Sequence, residues 1–170
     1  MMPGEGIYPL PEGHLNWVFG LLEVLEDHGG REDGYKISRD LNFKFDDLLR
    51  VMKIAEILGF VTTPTGDVVL EPLGKRFLES DVNQRKLIIG EQLRRHGLFN
   101  YFIRLLRAQP DRSLSKEVVL EHLAILLPNE KPEKMFNTMV TWGRFAELFG
   151  YSKDEDRFYL DQDTPQPPQP

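Results

Sequence analysis

Two short strings constrain this chain more than any other feature. "AEILGF" occupies Ala55 to Phe60, and "AELFGY" occupies Ala146 to Tyr151. Each ends an apolar run with helical spacing, and each is followed by a turn and a short alternating stretch. An offset of 91 positions (146 − 55) sets Leu48 on Met139, Lys53 on Arg144, Ile54 on Phe145, Glu56 on Glu147 and Gly59 on Gly150. One structural unit used twice is the expectation, with each helix closed by its glycine. Met52 against Gly143 breaks the match. A glycine inside a helix costs about 1 kcal/mol, so close packing is expected there.

The rest of the chain supports two related halves. Residues 1–13 carry three prolines and three glycines and read as a leader or linker. A first domain is expected over 14–81, a second over 82–161, and a disordered Pro- and Gln-rich tail over 162–170. In the first, His14 to His28 reads as a helix stopped by Gly29 and Gly30. Tyr35 to Leu41 reads as a short helix, and Asp46 to Leu58 as a stronger one with Asp46 as N-cap. Phe60 to Thr63 and Asp67 to Glu71 then frame "PTG" as a hairpin. In the second, helices are expected over Val82 to Arg95, Leu98 to Gln109, Ser115 to Leu127 and Pro132 to Phe149. Tyr151 to Ser152 and Arg157 to Leu160 flank "KDED" as a second hairpin. The fold class is mainly α with small β hairpins, in two winged-helix-like halves.

Several function classes are excluded by what the chain lacks. It has no cysteine, so thiolate metal sites and a cysteine nucleophile are absent. "PLGKRF" is not a phosphate loop, because Val69 stands where the first glycine belongs. His14, His28, His96 and His122 lie too far apart for a local ligand motif, and His96 reads as a helix end. Asp154, Glu155 and Asp156 lack calcium-loop spacing and read as a solvated turn. No catalytic constellation, metal or cofactor site is expected. A cytoplasmic setting fits a chain with no long apolar run and no signal sequence.

A winged helix often reads DNA, and here the charges oppose it. The net charge is −6. The expected outer face of Asp46 to Leu58 holds Arg50, Lys53, Ile54 and Ile57, with aspartates at the N-terminal end where base contacts form. The matching face of the second unit holds Thr141, Arg144, Phe145 and Leu148. The "PTGD" tip carries no cation. Arg50 and Lys53 are the residues a DNA-binding transcriptional regulator would use, and that reading is the alternative. The preferred reading is protein contact through Trp17, Leu21, Ile54, Ile57, Trp142, Arg144 and Phe145. For Trp17 and Trp142 an ordinary core position is the favoured account, and contact the alternative. From Lys75 to Lys116 ten Lys or Arg face four Asp or Glu. Within that stretch Arg94 and Arg95 are candidates for an acidic partner.

The strings "LLEVLEDHGGRED", "LGKRFLESD", "RKLIIGEQLRRH" and "WGRFAELFGY" together resemble the AAA-associated C-terminal domain. That family is found with the ATP-binding subunits of ABC importers of the nitrate, sulfonate and bicarbonate type. The resemblance covers roughly residues 10–161. It implies a non-catalytic regulatory or interaction module. Its partner would be the ATP-binding subunit, in cis or in trans, which would bring it to the inner membrane only through the transporter. A homodimer is compatible with it. It supplies no catalytic or ligand residues to carry over.

Overall fold

The computed structural model describes residues 6–161. The tail expected over 162–170 and the first five leader residues lie outside the described residues. The chain divides into two compact units, one of residues 11–88 and one of residues 1–10 with 89–170. One of its two boundaries, between residues 88 and 89, lies within a helix.

The unit of residues 11–88 opens with α1 (Leu15–Asp27), which ends at two glycines for a physical reason. Gly29 and Gly30 have φ of 79° and 94°, and Gly30 N–H bonds back to Leu25 C=O at 2.7 Å. This closes the last turn and sends the chain into β1 (Arg31–Asp33). Asp33 caps α2 (Gly34–Asp40), its carboxylate accepting from Tyr35 N–H at 2.9 Å. α3 (Phe45–Ile57) follows, then β2 (Val61–Thr62), a 3-10 turn at Pro64–Gly66 and β3 (Asp67–Leu70). The antiparallel sheet has the order β1-β3-β2. α4 (Pro72–Leu78) follows and packs against α1. Leu21, Leu22, Leu25, Ile37, Leu48, Val51, Ile54, Phe60, Val68 and Phe77 are fully buried. Each such side chain contributes about 1.5–3 kcal/mol by leaving water.

α5 (Val82–Arg95) contains the division between units. The second unit then repeats the first. α6 (Gly97–Arg107) leads to β4 (Ser113–Ser115), α7 (Lys116–Leu126), α8 (Pro132–Phe145), β5 (Phe149–Ser152) and β6 (Arg157–Leu160). The sheet order is β4-β6-β5, the same as in the first unit. Ser115 caps α7 as Asp33 caps α2. The core here is aromatic: Phe99 stacks at 5.7 Å on Phe149, which lies 4.9 Å from Phe158, and Trp142 is fully buried beside them.

The doubling is therefore real, but its register is not the one the strings suggest. Gly59 leaves α3 at φ 75°, and Phe60 N–H bonds to Ala55 C=O at 3.0 Å. The same step in α8 is made by Glu147 at φ 58°, with Leu148 N–H bonding to Gly143 C=O at 2.8 Å. The offset is thus 147 − 59 = 88. The buried α3 residues Leu48, Val51, Met52, Ile54 and Ala55 then fall on Phe136, Met139, Val140, Trp142 and Gly143, all buried. The sheet bonds agree, since Glu71 N–H meets Phe60 C=O and Asp161 N–H meets Leu148 C=O. A slip of three residues turns a helix by about 300°, so it nearly preserves an apolar face and hides in the sequence.

Gly150 accordingly does not end a helix, and α8 stops at Phe145 rather than Phe149. Gly150 lies in β5 opposite Tyr159, where a Cβ would stand 2.3 Å from the ring. Gly143 has the expected close packing, since a Cβ there would meet Phe149 at 2.7 Å.

Candidate interaction surface

Three of the residues proposed from the sequence for partner contact are core. Leu21, Ile54 and Trp142 are fully buried. Ile54 was expected to face outward on α3. Instead the chain near Gly13 covers it, and a Cβ on Gly13 would lie 2.8 Å from Ile54 Cδ1. The leader-like segment thus shields the helix face that a sequence pattern leaves open. Trp17 is half-buried, edge-on to His14 and Phe43. Ile57 and Phe145 are half-buried.

The charged candidates differ in how far they are engaged. Arg50 is exposed but paired with Asp47 one turn earlier on α3. Lys53 is exposed. Arg144 is exposed and donates to Tyr151 C=O at the start of the second hairpin. Arg95 pairs with Glu91 at 3.0 Å. Arg94 is half-buried, and its Nε has no hydrogen-bond partner among the described residues.

Residues singled out for possible chemistry take structural places. Gly74 sits in α4 where a Cβ would come within 2.5 Å of Phe60 C=O, so this glycine permits helix and strand to touch. His96 is the N-cap residue of α6, and burial pushes its pKa down to about 4. Asp111 accepts from the Ser113 hydroxyl and from Arg157, in that order of effect, and both hold its carboxyl below the ordinary range. That trio ties β6 to the loop before β4. Asp154 and Glu155 lie in the turn between β5 and β6, where Asp156 accepts from Tyr151 Oη at 3.1 Å. Among the described residues no group of three or more His, Asp or Glu is placed to hold a metal ion.

The surface feature that sequence reasoning missed is an apolar platform. Tyr35 and Phe45 stack with centroids 4.7 Å apart and planes 12° from parallel. Both are exposed, as is Leu49 one turn further along α3. The second unit offers an internal comparison. By the offset of 88 Phe45 and Leu49 correspond to Glu133 and Asn137. By the β1-to-β4 offset of 82 (113 − 31), Tyr35 corresponds to Glu117. The fold tolerates polar groups at all three places, so the apolar trio is not required by packing. The signal was available in the sequence, because Phe45 and Leu49 are spaced i, i+4 off the buried face of α3.

A family model decides the classification. The model of the C-terminal AAA-associated domain matches residues 35–152. The chain belongs to this family. The match runs from the start of α2 to the end of β5 and so takes in both units of this AAA-associated domain. Neither a curated protein nor a solved structure matches the chain. Membership makes this an accessory domain. No helix among the described residues of the AAA-associated domain is long and apolar enough to cross a membrane.

Proposed function

We propose that this AAA-associated domain is a non-catalytic regulatory and protein-interaction module. Its partner is the ATP-binding subunit of an ABC-type importer of the nitrate, sulfonate or bicarbonate class. The family match across both units carries this reading. The α-β-α-α-β-β order, used twice, is read as a pair of winged helices adapted to protein contact. The platform of Tyr35, Phe45 and Leu49 supports that adaptation, since exposed aromatic groups are favoured anchors in protein interfaces. The electrostatics weigh against a DNA reader. Asp46 and Asp47 occupy the first turn of α3, Arg50 is paired, and the Pro64–Gly66 turn carries no cation. The test is co-purification of the tagged chain with an ATP-binding subunit from native lysate. Recovery of that subunit supports the reading. Duplex binding at low salt that is lost in Arg50→Ala and Lys53→Ala replaces it with the DNA-binding alternative.

A further inference from the structure

The outer stripe of α3 is complementary to itself. Asp46, Leu49 and Lys53 stand at i, i+3 and i+7, a spacing that puts them on one face of a helix. All three are exposed. The order along the stripe is acid, apolar group, cation, over about 10 Å of helix. Neither charge is used within the chain. The side chains of Asp46 and Lys53 hold no hydrogen bond or ion pair among the described residues, whereas the neighbouring Asp47 and Arg50 hold each other.

The apolar part of the stripe is wider than one leucine. The Tyr35–Phe45 stack borders it one turn before Leu49, and stacking leaves both rings open: Tyr35 is 68% exposed, Phe45 38% and Leu49 46%. The second unit shows that the fold does not demand this pattern. At the offset of 88, α8 carries Lys134, Asn137 and Thr141 in place of Asp46, Leu49 and Lys53. That stripe has neither an apolar centre nor opposite charges at its two ends. The arrangement on α3 therefore belongs to the first unit alone.

We propose that a second copy of this chain packs its α3 antiparallel on this stripe, about a twofold axis near Leu49. Reversing the helix direction sets Asp46 of one copy against Lys53 of the other, and the symmetry makes that pair twice. Leu49 meets Leu49 at the axis. Phe45 comes beside the other copy's Lys53, whose ammonium is attracted to an aromatic face. A parallel pair would set Asp46 on Asp46 and Lys53 on Lys53, so the charges choose the direction. Exposed ion pairs add little affinity, so the apolar groups supply it and the charges fix the register. The contact uses up the same stripe on both copies, so assembly stops at two. It also covers Tyr35, Phe45 and Leu49. Given the reading of that platform as the contact for an ATP-binding subunit, on which this one consequence rests, the subunit and the second copy exclude each other.

The test is sedimentation equilibrium of the chain alone, from about 1 µM to about 1 mM. The wild type is expected to pass from the mass of one copy to that of two and no further. Lys53→Glu places like charges together on both sides of the axis and should weaken the dimer about tenfold or more. Leu49→Ser should weaken it as much. Lys153→Glu makes the same change of net charge in the turn between β5 and β6, and should leave the dimer as in the wild type. Lys53→Glu together with Asp46→Lys keeps the net charge of the wild type and restores both pairs, so it should dimerise within about threefold of it. Circular dichroism checks folding. Where Asp46→Lys unfolds the start of α3, the comparison of Lys53→Glu with Lys153→Glu decides. A wild type of one-copy mass at the highest concentration overturns the proposal, as does a mass beyond two copies. So does a Lys53→Glu chain that associates as tightly as Lys153→Glu, or a folded double change that stays at one copy. No ATP-binding subunit enters this measurement, so its failure leaves the functional reading untouched, and failure to recover a subunit leaves the dimer untouched.

Discussion

Glu147 holds the left-handed position in the second unit that Gly59 holds in the first, at φ 58° against 75°. Only glycine adopts that region without a steric cost between Cβ and the following carbonyl, about 1–2 kcal/mol. Glu147→Gly is therefore expected to raise the unfolding free energy by about 0.5–1 kcal/mol, net of the entropy that glycine adds to the unfolded chain. Gly59→Ala should lower it by about 1 kcal/mol or more. Denaturant titration with unchanged slope checks both.

Gly74 makes a sharper case. A methyl there would stand 2.5 Å from Phe60 C=O and 2.8 Å from Leu70 Cδ1. Backbone cannot yield as a side-chain end can, so Gly74→Ala should cost about 1–3 kcal/mol. Lys75→Ala, whose side chain is exposed, should cost less than about 0.5 kcal/mol. A phosphate-binding role would reverse that order of importance in a nucleotide-binding assay.

His96 gives a pH dependence with a definite sign. Burial favours the neutral ring in the folded state and lowers its pKa from 6.5 to about 4. The unfolded chain therefore binds the proton first as pH falls. Stability from this group is complete above pH 6.5, is lost between 6.5 and 4, and changes no further below that. The loss should be of order 3 kcal/mol. Thermal melts across that range should show the decline, and His96→Gln should remove it even if the variant is less stable throughout.

How much of this was legible in the sequence depends on which force sets each feature. The helices and hairpins were readable because Gly29, Gly30, Gly59 and the prolines punctuate strong apolar periods. β1 and β4 were not, since three-residue strands such as Arg31–Asp33 exist only through pairing with residues far along the chain. The repeat was readable but not its register, because helical faces repeat nearly every three to four residues. Glu147 hid the true match by doing a glycine's work. Among surface candidates, Ile54 was misplaced because its cover comes from near Gly13, forty-one positions away (54 − 13). Burial from outside a helix leaves no trace in that helix's own pattern. Arg50 could have been discounted from the sequence, since Asp47 stands one turn before it.

If this accessory domain works by holding an ATP-binding subunit, as proposed, Tyr35, Phe45 and Leu49 lie at the contact. The direct measurement is titration calorimetry of the purified chain into a purified ABC-importer ATP-binding subunit, with wild type beside Tyr35→Ser and Leu49→Ser. Saturable binding by the wild type is expected, with at least tenfold weaker binding by the variants and melting temperatures that stay close. Absence of binding by the wild type, or equal binding by all three proteins, would contradict it.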